Sequence, residues 1–315
     1  MHHRLIMVTG SGPGAGKSTL SAFLYRQLLL RGIPAEWLYE EDLLRSKQLA
    51  SYRSAWRHGD PAAMPSLLDA ARTLFLDHPQ HGSVRVTDGL FPCFYWLMVK
   101  YRRAEVEAYG RELAGMLQPL RPLVVHLDAD VRAAFARAVA SRGEAFGRDF
   151  TRVAAGWTLP HYPGPSVQTP EDYLALTEWL GARTRELLRG WPSETLILNT
   201  TELSLVATRR RLLDALGLTE VEEAPPSPAA LGAYGGVYTA ADDARPGRRL
   251  SVTLRDGRLH IDTYWPAGCP LVSEAPDRFR LANTSHVVHF RRLDGAVAGL
   301  IYTYPGTERW YEKVE

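Results

Sequence analysis

Apolar positions in the first two-thirds of the chain follow two alternating periods. Short apolar runs of the length a covered strand needs fall at residues 5–9, 35–39, 84–87, 123–127 and 195–198. Between them, helical spacing of apolar residues marks 19–31, 61–76, 104–117, 131–142 and 170–189. Strand and helix in alternation predict a mostly parallel, doubly wound α/β sheet with helices on both faces, and such sheets bind ligands at the carboxyl ends of their strands. The pattern breaks at 221–230, Val-Glu-Glu-Ala-Pro-Pro-Ser-Pro-Ala-Ala, where three prolines and two acids interrupt any periodicity. Beyond it the segments become short, β-branched and aromatic, at 236–240, 250–254, 258–264, 287–291 and 298–304. Asp256-Gly257 and Asp294-Gly295 sit between neighbouring segments as hairpin turns. The expected organisation is an α/β domain over 1–220, a Pro-rich linker over 221–230 and a small antiparallel β-barrel-like domain over 231–315.

Composition narrows the partners. The 315 residues carry 37 Lys and Arg against 35 Asp and Glu, a formal charge of +2, too balanced for the basic stripe that nucleic acid demands. No run of about 18 apolar residues occurs, so no membrane span is expected. Cys93 and Cys269 lie far apart, which argues against a disulfide framework or a cysteine zinc site and fits a reducing cytoplasm. The basic run Arg209-Arg210-Arg211 reads as a solvated helix face.

Candidate chemistry concentrates at 10–19, Gly-Ser-Gly-Pro-Gly-Ala-Gly-Lys-Ser-Thr, directly after the first strand and before an amphipathic helix. That context is what a phosphate-binding P-loop requires: glycines let successive backbone N–H groups turn inward, and the following helix contributes its positive end. Gly12, Gly14, Ala15, Gly16, Lys17, Ser18 and Thr19 are therefore expected to hold ATP, with Lys17 against the β- and γ-phosphates and Ser18 on Mg²⁺. The pattern's first glycine position is occupied by Ser11, with glycines on either side.

A P-loop alone does not separate kinases from other nucleotide-using proteins. No guanine-reading Asn-Lys-x-Asp, no Leu-Ser-Gly-Gly-Gln and no Asp-Glu pair after an apolar strand are present. Three further stretches resemble the nucleoside and nucleotide kinases, the deoxynucleoside and thymidylate kinases in particular. They are Leu38-Tyr39-Glu40-Glu41-Asp42, then Val84-Arg85-Val86-Thr87-Asp88-Gly89, and then Val124-Val125-His126-Leu127-Asp128-Ala129-Asp130 with Arg137 and Arg142-Gly143 beyond it. The resemblance, over about residues 4–217, implies phosphoryl transfer from ATP to a hydroxyl of a small molecule. It places a carboxylate near the acceptor hydroxyl, Asp88 on the Mg²⁺ side, and Arg137 and Arg142 on a lid, with Arg148 and Arg152 as alternatives. It also puts the loop 198–202 beside the adenine, where backbone contacts leave ATP versus GTP open. Neither the Asp-Arg usual after the third strand of thymidylate kinases nor the Glu-Arg-Ser of deoxynucleoside kinases occurs here, so the acceptor stays open.

On an extended strand Glu41 would face opposite to Glu40 and Asp42, alongside Trp37 and Tyr39. That favours Glu41 as general base, with Glu40 close behind. The aromatic stretches 91–96 and 157–163, with His161, and the group Tyr101, Arg102 and Arg103 are candidate substrate contacts. The C-terminal segment resembles small lipocalin-like β domains appended to some β-lactamase-related serine hydrolases, which implies stabilisation, homodimer formation or cover for the substrate side. The alternative to a kinase is an ATP-binding switch or assembly module in which no acceptor is phosphorylated.

Overall fold

The computed structural model describes residues 2–77, 83–91, 94–222, 228–240, 248–263, 268–282, 284–304 and 307–315. Cys93, Pro92, Tyr264 and the linker residues 223–227 lie outside them. The chain divides into two compact units, 1–140 with 144–221, and 222–315 with 141–143.

The first unit runs β1 (Leu5–Gly10), α1 (Lys17–Leu30), β2 (Ala35–Leu38), α2 (Glu40–Arg45), α3 (Ala50–His58), α4 (Ala63–Arg72), β3 (Val84–Asp88), α5 (Phe94–Leu97) and α6 (Arg103–Leu117). It continues with β4 (Leu123–Asp128), α7 (Val131–Arg142), α8 (Glu144–Ala155), α9 (Pro170–Arg189), β5 (Glu194–Asn199) and α10 (Leu205–Ala215). All five strands are parallel, in the order β2-β3-β1-β4-β5, so the strand that leads into the glycine loop is the central one. Alternation along β1 divides the core. Leu5 and Met7 join a layer with α4, α6 and α9, whereas Ile6 and Val8 join Leu20, Leu24 and Leu28 of α1 and Leu212 and Leu213 of α10. Helices thus cover both faces of the sheet.

Each predicted strand of this unit is present, within a residue or two at its ends. The predicted helix over 61–76 ends at Arg72 and passes into a π turn, Thr73–Asp77. The short helices α2, α3 and α5, and α8, were not expected. α9 starts on a reciprocal cap, in which the Thr169 hydroxyl accepts from the Asp172 N–H and the Asp172 carboxylate accepts from the Thr169 N–H.

The second unit begins with α11 (Pro228–Gly232) and continues as β6 (Gly236–Ala240), β7 (Arg249–Arg255), β8 (Arg258–Ile261), β9 (Cys269–Ala275), β10 (Arg278–Leu281), β11 (Val287–Leu293), β12 (Ala296–Tyr304) and β13 (Thr307–Lys313). Each strand pairs antiparallel with the next, and β13 returns to pair with β6, closing an eight-stranded barrel. Both Asp-Gly turns adopt left-handed conformations, with φ of 49° and 73° at Asp256 and Gly257, and 50° and 83° at Asp294 and Gly295. Strands β9, β10 and β13 were missed because a proline or alternating charges mask their apolar positions. The interior is filled by side chains, as a barrel of this strand number allows. Phe290 packs on Tyr234 and Phe279 at ring distances of 4.7 and 5.6 Å, and the buried Cys269 lies in the same cluster.

Candidate phosphate-binding site

The glycine loop leaves the carboxyl end of β1 and enters α1 at Lys17 through Gly16, whose φ of 99° is left-handed. Gly14 requires glycine twice over: its φ is +77°, and a Cβ there would overlap the carbonyl oxygen of Ala134 in α7. Lys17 reaches back across the loop, donating from Nζ to the Gly12 carbonyl at 3.0 Å. Ser18 and Thr19 occupy the first turn of α1, which carries no acidic residue to offset the positive end of the helix. Strand, glycine loop and helix N-terminus, with no acid in the first turn, have the arrangement of a candidate anion cradle.

Ser11, where the pattern has glycine, causes no strain. It is not among the residues with positive φ, and Gly181 of α9 makes room for it, since a Cβ on Gly181 would lie 3.3 Å from that of Ser11. A small pocket opens on this side of the loop, lined by Ser11, Pro13, Ala134, Phe135, Tyr173 and Thr177.

The acidic trio differs from expectation. The second strand ends at Leu38, and Tyr39 caps a helix that begins at Glu40, so the three acids form its first turn. The alternation that put Glu41 beside Trp37 and Tyr39 no longer applies. Glu41 turns outward, 56% exposed, with Arg45 4.0 Å away. Trp37 packs toward α1 instead, donating from Nε1 to the Ser21 hydroxyl at 3.1 Å. Glu40 is the acid that meets the loop. Its residue is half-buried, but the carboxylate is the inward end and lies against Gly89, where any Cβ would collide with it. Burial pushes the Glu40 carboxyl up from 4.5 to about 7. The Lys17 charge pulls it down, while Asp88 and Glu41 push it further up. Asp88, the last residue of β3, is buried and registers with Val8 of β1. Lys17, Glu40 and Asp88 therefore share one electrostatic site at the carboxyl ends of β1, β2 and β3.

The arginines divide. Arg137 donates to the Gly14 carbonyl at 3.4 Å. Arg142 was expected in a lid loop, but it is the last residue of α7, and Gly143 alone, with φ of 90°, separates it from α8. Arg148 and Arg152 lie exposed on α8, and Arg152 pairs with Asp149 at 2.8 Å. Arg103 pairs with Glu107 and Glu186 at 2.7 and 2.8 Å, and the Tyr101 hydroxyl donates to the Asp60 carbonyl, so both are held by structural partners. Among the aromatics, Phe94 packs on Trp191 and the Tyr95 hydroxyl donates to Thr177, as core residues do. Trp96 and Trp157 meet edge to face at 5.4 Å, and His161 is exposed. At the far end of the loop, the Thr200 hydroxyl donates to the Ala15 carbonyl at 3.3 Å, which brings the turn after β5 beside the cradle.

Sequence reading missed α9 as a loop support. Thr177, Gly181 and Arg185 recur at four-residue spacing on one face. They meet Gly12, Ser11 and Asp128 respectively, the last as a 2.7 Å ion pair. The two small residues at that spacing were the available signal. Beneath them His126 is fully buried on β4, held down to about 4 by burial against the opposing pull of Asp128, with Arg185 and Lys17 adding to the lowering; it is neutral at pH 7.

The fold and the loop define a P-loop α/β unit followed in sequence by an eight-stranded antiparallel barrel. No family model matches the chain, and no curated protein matches it. Among solved structures it is similar to the YorR protein of Bacillus subtilis, in complex with phosphorylated GDP, at 15% identity and a TM-score of 0.38, over 68% of this chain and 95% of that one. It is also similar to a shikimate kinase from Acinetobacter baumannii in complex with shikimate, at 18% identity and a TM-score of 0.38, over 68% and 90% of the two chains. At that similarity neither adds to what the architecture itself shows. Among the described residues, no helix is long and apolar enough to cross a membrane.

Proposed function

We propose that the first unit is an ATP- and Mg²⁺-dependent phosphotransferase that passes the γ-phosphoryl group to a hydroxyl of a small molecule. The observation that carries this reading is the Glu40 carboxyl, pushed up to about 7 and set against Gly89 beside Lys17 and Asp88. A group that must take a proton from a hydroxyl near neutral pH works best with such a value.

Phosphoryl transfer asks the protein chiefly for positioning and for neutralising charge. Lys17 and the loop N–H groups of Gly12, Gly14, Ala15 and Gly16 would hold the phosphates, with Thr19 as a further contact. Ser18 and Asp88 offer oxygen donors, which suit Mg²⁺, and would hold it there; the ion supplies charge neutralisation when bound. Glu40 would orient the acceptor hydroxyl and receive its proton, and Arg137, already at the loop, would close over the transferred group. The acceptor would enter between Glu40 and the segment after β3.

The test is to incubate the wild type, Lys17→Ala and Glu40→Gln with Mg-ATP and a panel of metabolites, nucleosides and hydroxyl-bearing antibiotics, reading mass spectra for compounds that gain one phosphoryl group. A product made by the wild type and lost in both variants, with ATP binding kept in Glu40→Gln, supports the reading. ATP binding with no phosphorylated product, and with ATP-dependent changes in oligomeric state, would replace it with a nucleotide-dependent switch.

A further inference from the structure

At the opposite end of the sheet from the glycine loop, His2 and His3 precede β1 and Glu194 opens β5. β4 lies between those strands, with Leu123 in register with both Ile6 and Glu194, so the three side chains converge across the amino end of β4. One ligand atom from each of His2, His3 and Glu194 lies within 4.8 Å of the others.

The hydrogen-bond geometry at His3 bears on what this cluster can hold. Nδ1 lies 2.8 Å from the backbone carbonyl oxygen of Arg121, which can only accept, so Nδ1 carries the proton. In the neutral ring Nε2 is then a lone pair. That nitrogen is buried, on a residue 3% exposed, and makes no hydrogen bond among the described residues. It points at the Glu194 carboxylate, 3.5 Å away, which is also an acceptor. A shared cation would relieve two acceptors facing each other at this distance. A proton would engage only His3 and Glu194, whereas the His2 ring lies 4.0 Å from that of His3, within the same cluster. A metal ion uses all three.

We propose that His2, His3 and Glu194 bind a divalent transition-metal ion of the zinc class. Two imidazoles and one carboxylate are a donor set for Zn²⁺, Co²⁺, Ni²⁺ or Cu²⁺ rather than for Mg²⁺ or Ca²⁺, and they leave a coordination position for water. The Arg121 carbonyl plays the part of the outer partner that fixes the tautomer of a ligating histidine. His3 is preset, and the exposed His2 and Glu194 close on the ion. The bound ion ties the segment before β1 to β5, the edge strand of the sheet, and the site is independent of the phosphate cradle.

The experiment uses the full chain without an affinity tag, stripped with chelator and titrated with Zn²⁺ against a chromogenic chelator in Mg²⁺-containing buffer, with Co²⁺ absorption as a second readout. Glu194→Gln and His2→Ala change exposed positions and keep the metal-free melting temperature. The expected result is one equivalent of Zn²⁺ in the wild type, affinity at least about tenfold weaker in either variant, and a Zn²⁺-dependent rise in melting temperature that both lose. Absence of stoichiometric binding overturns the proposal and leaves a proton as the shared cation. Wild-type affinity in Glu194→Gln also overturns it, as does binding lost instead in Asp88→Asn, which would put the ion at the cradle.

Discussion

Replacing Glu40 by Gln should make the protein more stable while removing its turnover. Burial raises the Glu40 carboxyl from 4.5 to about 7, so the folded state disfavours the charged form. Below pH 4.5 the group is protonated whether the chain is folded or not, and its burial then carries no charge penalty. As pH rises from 4.5 through 7 the unfolded chain ionises first, and stability is lost until the folded group ionises too. At about 1.4 kcal/mol per pH unit the full penalty approaches ~3 kcal/mol, and water reaching the half-buried residue reduces it to roughly 1–3 kcal/mol. The amide of the Glu40→Gln variant resembles the protonated acid at every pH. A unit of this size gains about 2–4 °C per kcal/mol, so at pH 8 the variant should melt several degrees above the wild type, and at pH 4 the two should coincide. Trp37, Trp56, Trp96, Trp157, Trp179 and Trp191 all lie in the first unit and report its transition by fluorescence. A variant no more stable at pH 8, or equally stabilised at pH 4, would refute the placement of the carboxylate. Stability gained where activity is lost is the ordinary signature of a site held against its own folding preference.

Other perturbations separate the remaining roles. Glu41→Gln should leave phosphoryl transfer within about twofold of wild type, whereas Glu40→Gln should lower kcat by about 10²–10⁴; steady-state rates at pH 8 decide it, and the reverse order would restore Glu41 as the base. Gly89→Ala adds a Cβ at φ of 76°, against the Glu40 carboxylate, and should lower kcat with ATP affinity kept, as read by nucleotide titration alongside turnover. In the barrel, Phe290→Ala empties the centre of the aromatic cluster and should cost about 3–5 kcal/mol, measured by urea unfolding; a cost below about 1 kcal/mol would mean that the interior is not filled as described.

Local chemistry was legible without the fold. The 10–19 stretch marked the glycine loop between β1 and α1, because glycine spacing, lysine and the flanking strand and helix are all short-range features. The five strands of the sheet were visible as apolar runs, and two barrel hairpins as Asp-Gly pairs whose left-handed φ follows from those residues themselves. Periodicity could not say where the second strand stops. It ends one residue before the predicted boundary, and that single step turns Glu41 to solvent and Glu40 toward Lys17. Only the tertiary structure could decide matters that join distant residues: Gly89 making room for Glu40, Gly181 making room for Ser11, β13 closing on β6, and Glu194 meeting His2 and His3. The reason is physical. Side-chain period encodes which face of an element is buried, but the partner on that face is chosen by packing between segments far apart in the chain, and no local pattern carries that choice.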